Sequence, residues 1–308
     1  MITRTRLRAS FRFALLAAGL CLTGTAYAAT NGAADQNSEV TMSSSTGKSQ
    51  RVAYGRQVSL AGRVAGGSGR EVRLEHAPGG QGWRPVAKTT SAGDGSYRFA
   101  VRAERSGSYR AVTDGGSSAP RNVTVVARLA GKSTRHVRRG ATVRVLGALR
   151  PARSGRTVSL QRRSGHRWKT VDRARTGRSG RFRAAWKPST SGAFRLRVKF
   201  GGDSLNGASS RTLRGRTYVY RSALASWYGP GFYGSRTACG GTMSPTRLGV
   251  ANKSLPCGTR VSLRYHGRSV TVPVIDRGPY VGAREFDLTV ATKRKLGFGS
   301  TGRVWTTR

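Results

Sequence analysis

The chain has 308 residues, length enough for two or three domains, and carries 47 Arg and 9 Lys against 12 Asp plus Glu, a formal charge of +44. Its 42 glycines, 8% aromatics and 37% hydrophobics exclude collagen, coiled-coil and polytopic membrane architectures and favour Gly-rich strands and turns. Three cysteines are too few for a disulfide-dense miniprotein or a four-cysteine zinc site, and so large a charge calls for an anionic partner or neighbourhood.

In chain order, Arg4, Arg6, Arg8 and Arg12 precede an apolar stretch from Phe13 to Leu22. Ala26-Tyr27-Ala28 then supplies a small-x-small cleavage site, so residues 1–28 read as a secretory signal peptide. The apolar stretch is too short to cross a bilayer, and no other segment reaches the roughly 18 apolar residues a transmembrane helix needs. Leu20 stands before Cys21 where a lipobox wants Gly or Ala, and cleavage after Ala28 discards Cys21. Two cysteines then remain, Cys239 and Cys257, and an even pair in an oxidising compartment is most simply one disulfide. The rival reading, a catalytic thiol, needs a histidine partner; the nearest is His266, and nothing around it forms a dyad.

Residues 29–50 are polar, Ser-rich and aperiodic, the composition of a flexible linker. An internal repeat follows with an offset of 85 residues: Gly55, Val58, Leu60 and Gly62 recur as Gly140, Val143, Val145 and Gly147, Trp83 as Trp168, and Gly95 as Gly180. Apolar and basic residues alternate in Val72-Arg73-Leu74 and in Phe194 to Val198, as half-buried strands require. Short alternating runs punctuated by Gly and Ser predict a β-sandwich in each copy, over 51–127 and 128–220. In pattern and size each copy resembles the Ig-like modules of bacterial surface proteins, without the cysteine pair of true Ig domains. Trp83 and Trp168 are expected as core plugs. The acids of the repeats are scattered and form no catalytic constellation, so the repeats are expected to be spacer or adhesion modules.

From Ser222 the pattern changes. Ala225 to Gly234 packs four aromatics among glycines; strands are expected over Val261–Tyr265 and Ser269–Ile275, joined by a turn at His266-Gly267. A helix is expected over Val290–Leu296, ended by Gly297 in the left-handed conformation, and Val304-Trp305-Thr306 reads as a closing strand. ASWYGPGFYG, the TA-CGG segment, NKSLPCGTRV, IDRGPY and the FDLT-to-LGF segment stand in the order found in rare lipoprotein A (RlpA)-like domains, which residues 222–308 resemble. The resemblance implies a six-stranded double-psi β-barrel, the architecture of expansin and barwin domains, and so an all-β chain of two Ig-like repeats and a barrel. It further implies a cell-wall polysaccharide substrate, peptidoglycan glycan strands, with no metal or other cofactor. Members that cleave are peptidoglycan lytic transglycosylases; expansin relatives loosen walls without hydrolysis.

Three acids lie in this segment: Asp276, Glu285 and Asp287. A lytic transglycosylase needs one carboxyl group to protonate the glycosidic oxygen and then take the proton of the sugar's own 6-hydroxyl, whereas a hydrolase wants two. Asp276 opens an Asp-x-Gly-Pro turn and is the expected catalytic acid; Asp287 aligns with the acidic residue of the expansin FD motif and is the second catalytic candidate, its bland alternative being a helix cap. Glu285 is expected to be a solvated strand residue. Trp227, Tyr228, Tyr233, Arg277 and Tyr280 are the expected substrate-binding residues, with Trp227, Tyr228, Asp276, Arg277, Tyr280 and Asp287 lining one groove; filling the small barrel is the equal alternative for Trp227, Tyr228 and Tyr233. Proteobacterial members usually carry Glu where this chain has Gly241 and His where it has Asn252. These two departures leave a non-catalytic, expansin-like wall-binding protein as the alternative. Nucleic acid is the usual partner of so basic a chain, but an exported protein rarely meets it, so none is expected. The available polyanions are anionic wall polymers, and the protein is expected to be secreted or cell-wall-associated.

Overall fold

The structure, a computed structural model of the chain, describes residues 40–43 and 49–308. The expected signal peptide lies outside the described residues. Among the described residues the regular elements are strands, with one helix, Val290–Leu296, and no helix is long and apolar enough to cross a membrane.

In the first repeat, Val40–Ser43, Gln57–Val64 and Ser96–Arg102 form one antiparallel sheet. A second sheet runs in the order Ser49–Ala53, Arg121–Val126, Gly107–Thr113, Glu71–Pro78, Arg84–Thr90. Alternation turns Val58 and Leu60 from the first sheet and Val72 and Leu74 from the second into one shared core, where all four are fully buried. Burial of each such side chain is worth about 1.5–3 kcal/mol. The second repeat copies the plan, with Arg128–Ser133, Val143–Arg150 and Arg181–Trp186 facing the order Arg167–Arg175, Thr157–Ser164, Leu196–Phe200, Ser209–Thr212 around Val143, Val145, Val158 and Leu160. The 85-residue offset survives in hydrogen bonds: Val64 N–H donates to Gly95 O, and Leu149 N–H to Gly180 O, both at 2.9 Å. Gly62 and Gly147 recur for a steric reason. A Cβ on either would overlap the aromatic ring opposite, Tyr97 or Phe182, and a neighbouring strand's carbonyl.

Two expectations fail here. The segment read as linker up to residue 50 supplies two strands: Val40–Ser43 pairs with Gln57–Val64, and Ser49–Ala53 pairs with Arg121–Val126. Val40 and Met42, two residues apart, were too short a run to register as alternation, yet both are buried. Trp83 and Trp168 are not core plugs either. Each is half-buried under a guanidinium, Arg110 over Trp83 and Arg197 over Trp168, both 4.4 Å from the ring centroid. The Arg-rich sheet faces give an indole a cationic cover that the apolar core does not.

The third unit is a closed six-stranded barrel. Its strands neighbour one another in the order Thr217–Tyr228, Phe286–Thr289, Val250–Ala251, Arg268–Asp276, Arg260–Tyr265, Gly302–Thr306, and the last pairs with the first. The hairpin Arg260–Tyr265/Arg268–Asp276 turns at His266-Gly267, where both residues take positive φ, 41° and 83°, the backbone of a two-residue type I′ turn. Ala223, Ala225, Val261, Leu263, Val272, Phe286, Leu288 and Val304 fill the interior. The helix covers the barrel as expected. Thr289 caps it by accepting from Thr292 N–H, and Gly297 ends it at φ 66°. The cap is therefore not Asp287, which leaves that carboxylate for other contacts.

Thr217–Tyr228 belongs to two units. Thr217 to Tyr220 pair with His136–Arg138 and Gly192–Phe194 of the second repeat, and Arg221 to Ala225 pair with Gly302–Thr306 of the barrel. The boundary expected between residues 220 and 222 falls inside this one strand.

Candidate functional site

The two acids meet through a two-residue strand. Ala251 pairs with Asp276 on one side and with Asp287 on the other, and Asp287 pairs onward with Ser226. Strand spacing places the two aspartate Cα atoms roughly 10 Å apart at one level of the barrel. Alternation along Thr217–Tyr228 sends Ala223, Ala225 and Trp227 to the barrel core and Ser226 and Tyr228 to the opposite face. That opposite face carries the carboxylates: Ser226 Oγ hydrogen-bonds Asp287 Oδ1, and Tyr228 OH donates to Asp276 Oδ2 at 3.3 Å.

Asp276 is held firmly at its other oxygen. Oδ1 accepts the backbone N–H groups of Arg277 and of Ala238, both at 2.9 Å. The Ala238 donor sits in a loop fixed by the Cys239–Cys257 disulfide, whose Cα atoms are 5.5 Å apart, and Cys239 N–H donates to Ile275 O. The Tyr228 phenol is pushed upward from its ordinary pKa first by burial and then by the neighbouring Asp276, against an opposing pull from Arg247. It stays protonated and can donate to Asp276 throughout the neutral range.

The expected site residues separate into two groups. Asp276, Asp287 and Tyr228 come together. Tyr280 is 78% exposed and Tyr233 is 40% exposed beyond them; Tyr233 lies beside Gly229 at the end of the Tyr228 strand. Trp227 faces the other way, packed on the core with Lys293 Nζ 3.6 Å from its ring centroid. Arg277 also points away from an open groove: it donates to Asn252 O at 3.2 Å, Leu255 O at 3.0 Å and Cys257 Sγ at 3.2 Å. Glu285 is half-buried in an ion pair with Arg221 at 2.5 Å, just before the strand Phe286–Thr289.

Other residues of the site were not singled out from the sequence, although Phe232 lies in its aromatic run Ala225–Gly234. Phe232, 54% exposed, stands edge-on to Tyr228 with centroids 5.9 Å apart. Arg284 Nη1 donates to Ser226 Oγ at 3.3 Å, so a cation backs the Ser226–Asp287 contact. Arg247 donates to the carbonyls of Thr242 and Gly240, both at 2.8 Å, and pins the loop beside Asp276. The two departure positions are structural here. Gly241 takes φ +78°, and a Cβ there would press on the Arg247 guanidinium. Asn252 is buried and spends its amide on Glu285 O, Ser254 N–H and Leu255 N–H. Among the described residues no three His, Cys, Asp or Glu side chains are grouped as metal ligands would be.

Residues 221–305 match the double-psi β-barrel family described as lytic transglycolase. Similar proteins include a probable endolytic peptidoglycan transglycosylase RlpA of Synechocystis, 44% identical over 84 residues, 27% of this chain and 26% of that protein. One of Aquifex aeolicus is 42% identical over 87 residues, 28% of this chain and 38% of the relative. The endolytic peptidoglycan transglycosylase RlpA of Pseudomonas aeruginosa PAO1 is 40% identical over 105 residues, 31% of each chain. The chain thus spans about a quarter to two fifths of the length of these relatives.

Proposed function

We propose, from a C-terminal domain that is an RlpA-like double-psi β-barrel, that this protein acts outside the cytoplasm on peptidoglycan glycan strands and cleaves them as a lytic transglycosylase, with Asp276 as general acid and base. The relatives' shared activity supports the substrate class. The observation that carries the residue assignment is Asp276 itself: one oxygen is fixed by two backbone N–H groups, and the other is reached only by a long phenol contact.

In this reading Asp276 Oδ2 gives its proton to the glycosidic oxygen, and the bond from that oxygen to the anomeric carbon breaks. The 6-hydroxyl of the same sugar forms the new bond to the anomeric carbon. Its proton returns to Oδ2, so the carboxyl group ends as it began and the product is a 1,6-anhydro sugar. Tyr228 positions Oδ2 through its hydroxyl. Asp287, oriented by Ser226 and backed by Arg284, supplies negative charge on the same face as positive charge develops at the sugar ring. Phe232, Tyr233 and Tyr280 are the exposed rings that can stack on the strand; Trp227 and Arg277 shape the barrel and its loop. The two repeats are read as Ig-like spacer or wall-adhesion modules.

The non-catalytic, expansin-like reading keeps support from Gly241 and Asn252, which place no titratable side chain beside Asp276. Mass spectrometry of stem-peptide-free glycan strands incubated with the full chain decides between the two. Anhydro-terminated fragments from wild type, reduced about 10²–10⁴-fold in Asp276→Asn, are expected of the enzyme. Intact strands from both proteins would leave wall binding as the function.

A further inference from the structure

Three cavities lie away from the aspartates, where the second repeat meets the barrel. One of about 540 Å³ is lined by Arg216, Tyr218 and Arg260. A second of about 500 Å³ is lined by His136, Arg264 and Arg303. A third of about 470 Å³ contains His136, Arg216 and Tyr218, so it adjoins both. Together they make one basic groove whose walls come from two units locked by the shared strand Thr217–Tyr228.

Seven guanidiniums line it, among them four aimed by neutral oxygens. Arg216 donates to Ala193 O, Arg260 to Thr271 O, Arg264 to Ser269 Oγ and Arg303 to Ser222 Oγ. Among the described residues none of these four is in an ion pair: the carboxylates paired there serve Arg63, Lys88, Arg110, Arg156 and Arg221. Each guanidinium has five N–H donors and spends one here, leaving positive charge and donors for an anion. The field is felt inside the groove, since His136 is held below its ordinary pKa first by burial and then by Arg264 and Arg135.

The aromatic residues limit what that anion is. His136 stacks on Tyr218 and on Tyr220, Tyr220 packs on Trp305, and Arg138 covers the Trp305 face at 4.7 Å. Each of these rings has one face against a neighbour, which leaves less ring surface for stacking a nucleobase than guanidinium surface for a phosphate. Three adjoining cavities suit an extended chain better than a single ion.

We propose that this groove binds a linear polyol-phosphate polymer, its successive phosphodiesters seated on Arg216, Arg260, Arg264 and Arg303. The site is separate from Asp276, so the proposal stands or falls independently of glycan cleavage.

The test is calorimetric titration of the full chain with a synthetic glycerol-phosphate hexamer, using the triple variant Arg216→Gln/Arg260→Gln/Arg264→Gln. A control variant, Arg98→Gln/Arg144→Gln/Arg183→Gln, removes the same charge from exposed sandwich strands. Saturable one-to-one binding is expected, weakened about 10-fold or more by the groove variant and only a few-fold by the control, because charge-assisted hydrogen bonds are lost in the first alone. Circular dichroism of each variant checks folding, and Arg→Lys at the same three positions, which keeps charge but loses the fork geometry, should restore part of the affinity. Equal weakening by both Gln variants would reduce the effect to overall charge and overturn the proposal. So would a DNA hexamer that binds more tightly than the polyol phosphate and loses that advantage in the groove variant.

Discussion

Tyr228 and Asn252 show how single side chains set up the aspartate face. Tyr228→Phe removes the one side-chain donor to Asp276 among the described residues while keeping the ring against Phe232. A hydrogen bond to a charged group is worth about 1.5–3 kcal/mol, and at 3.3 Å this one belongs at the low end. Product formation should therefore fall roughly 10-fold, measured as initial rates of anhydro-end release at a temperature where both proteins are folded, with no more than about 1.5 kcal/mol lost from stability. Asn252→Ala is a different kind of change, because it strands one carbonyl and two N–H groups in a buried loop. It should cost about 2–4 kcal/mol at roughly 1 kcal/mol per hydrogen bond plus the desolvation of partners left unmade. Denaturant melts would show it, and a change under about 0.5 kcal/mol would mean the loop is held elsewhere.

At the scale of elements, the disulfide and the repeat glycines carry the argument. Cys239–Cys257 spans a sequence separation of 18 and fixes the loop that gives Ala238 N–H to Asp276. Its removal by Cys239→Ala/Cys257→Ala should lower stability by about 3 kcal/mol and lower product formation further than stability alone explains, read at a temperature where both proteins are folded. Gly147→Ala should destabilise the second repeat by about 1–3 kcal/mol or more, since the new methyl overlaps Phe182 and the carbonyl of Ala130. Hydrogen exchange should localise that loss to Val143–Arg150 and its two neighbouring strands.

At the scale of the whole molecule, a continuous strand makes the second repeat and barrel one mechanical piece. Tyr220 lies at the crossover, buried, hydrogen-bonded to His136 Nδ1 at 2.9 Å and packed on Trp305. Burial pushes its pKa up to about 12, with neighbouring hydrogen bonding and Arg264 pulling the other way. The unfolded phenol ionises near pH 10 and the folded one only near 12, so the contribution is complete below pH 10. It is lost as pH rises to 12, by up to about 3 kcal/mol. Denaturant midpoints at pH 9 and pH 11.5 should therefore differ less in Tyr220→Phe than in wild type. A four-residue Gly-Ser insertion after Tyr220 should split one calorimetric transition into two by uncoupling the shared strand; a single transition in the insertion variant would show that other contacts hold the units together.

The sequence by itself determined the strand-rich class, the 85-residue repeat, the C-terminal family, the helix Val290–Leu296 with its Gly297 stop, and Cys239 and Cys257 as a pair. All of these rest on local physics or on ordered motifs: alternation with a period of two, glycine at positive φ, a cap residue, a recurring spacing. It also marked Asp276, Asp287 and Tyr228, because acids are scarce here and aromatics cluster. Only the tertiary structure decided which way Trp227 and Arg277 face, that Arg247 and Ser226 serve the aspartates, and that Arg216 and Arg260 share a groove. Those facts depend on which residue a strand meets across a sheet, and on whether alternation counts inward from Ala225 or outward from Ser226. Barrel closure and the shared strand Thr217–Tyr228 set both, through contacts between residues far apart in the chain, such as Arg221 and Thr306 or His136 and Tyr220. No local pattern encodes such pairings.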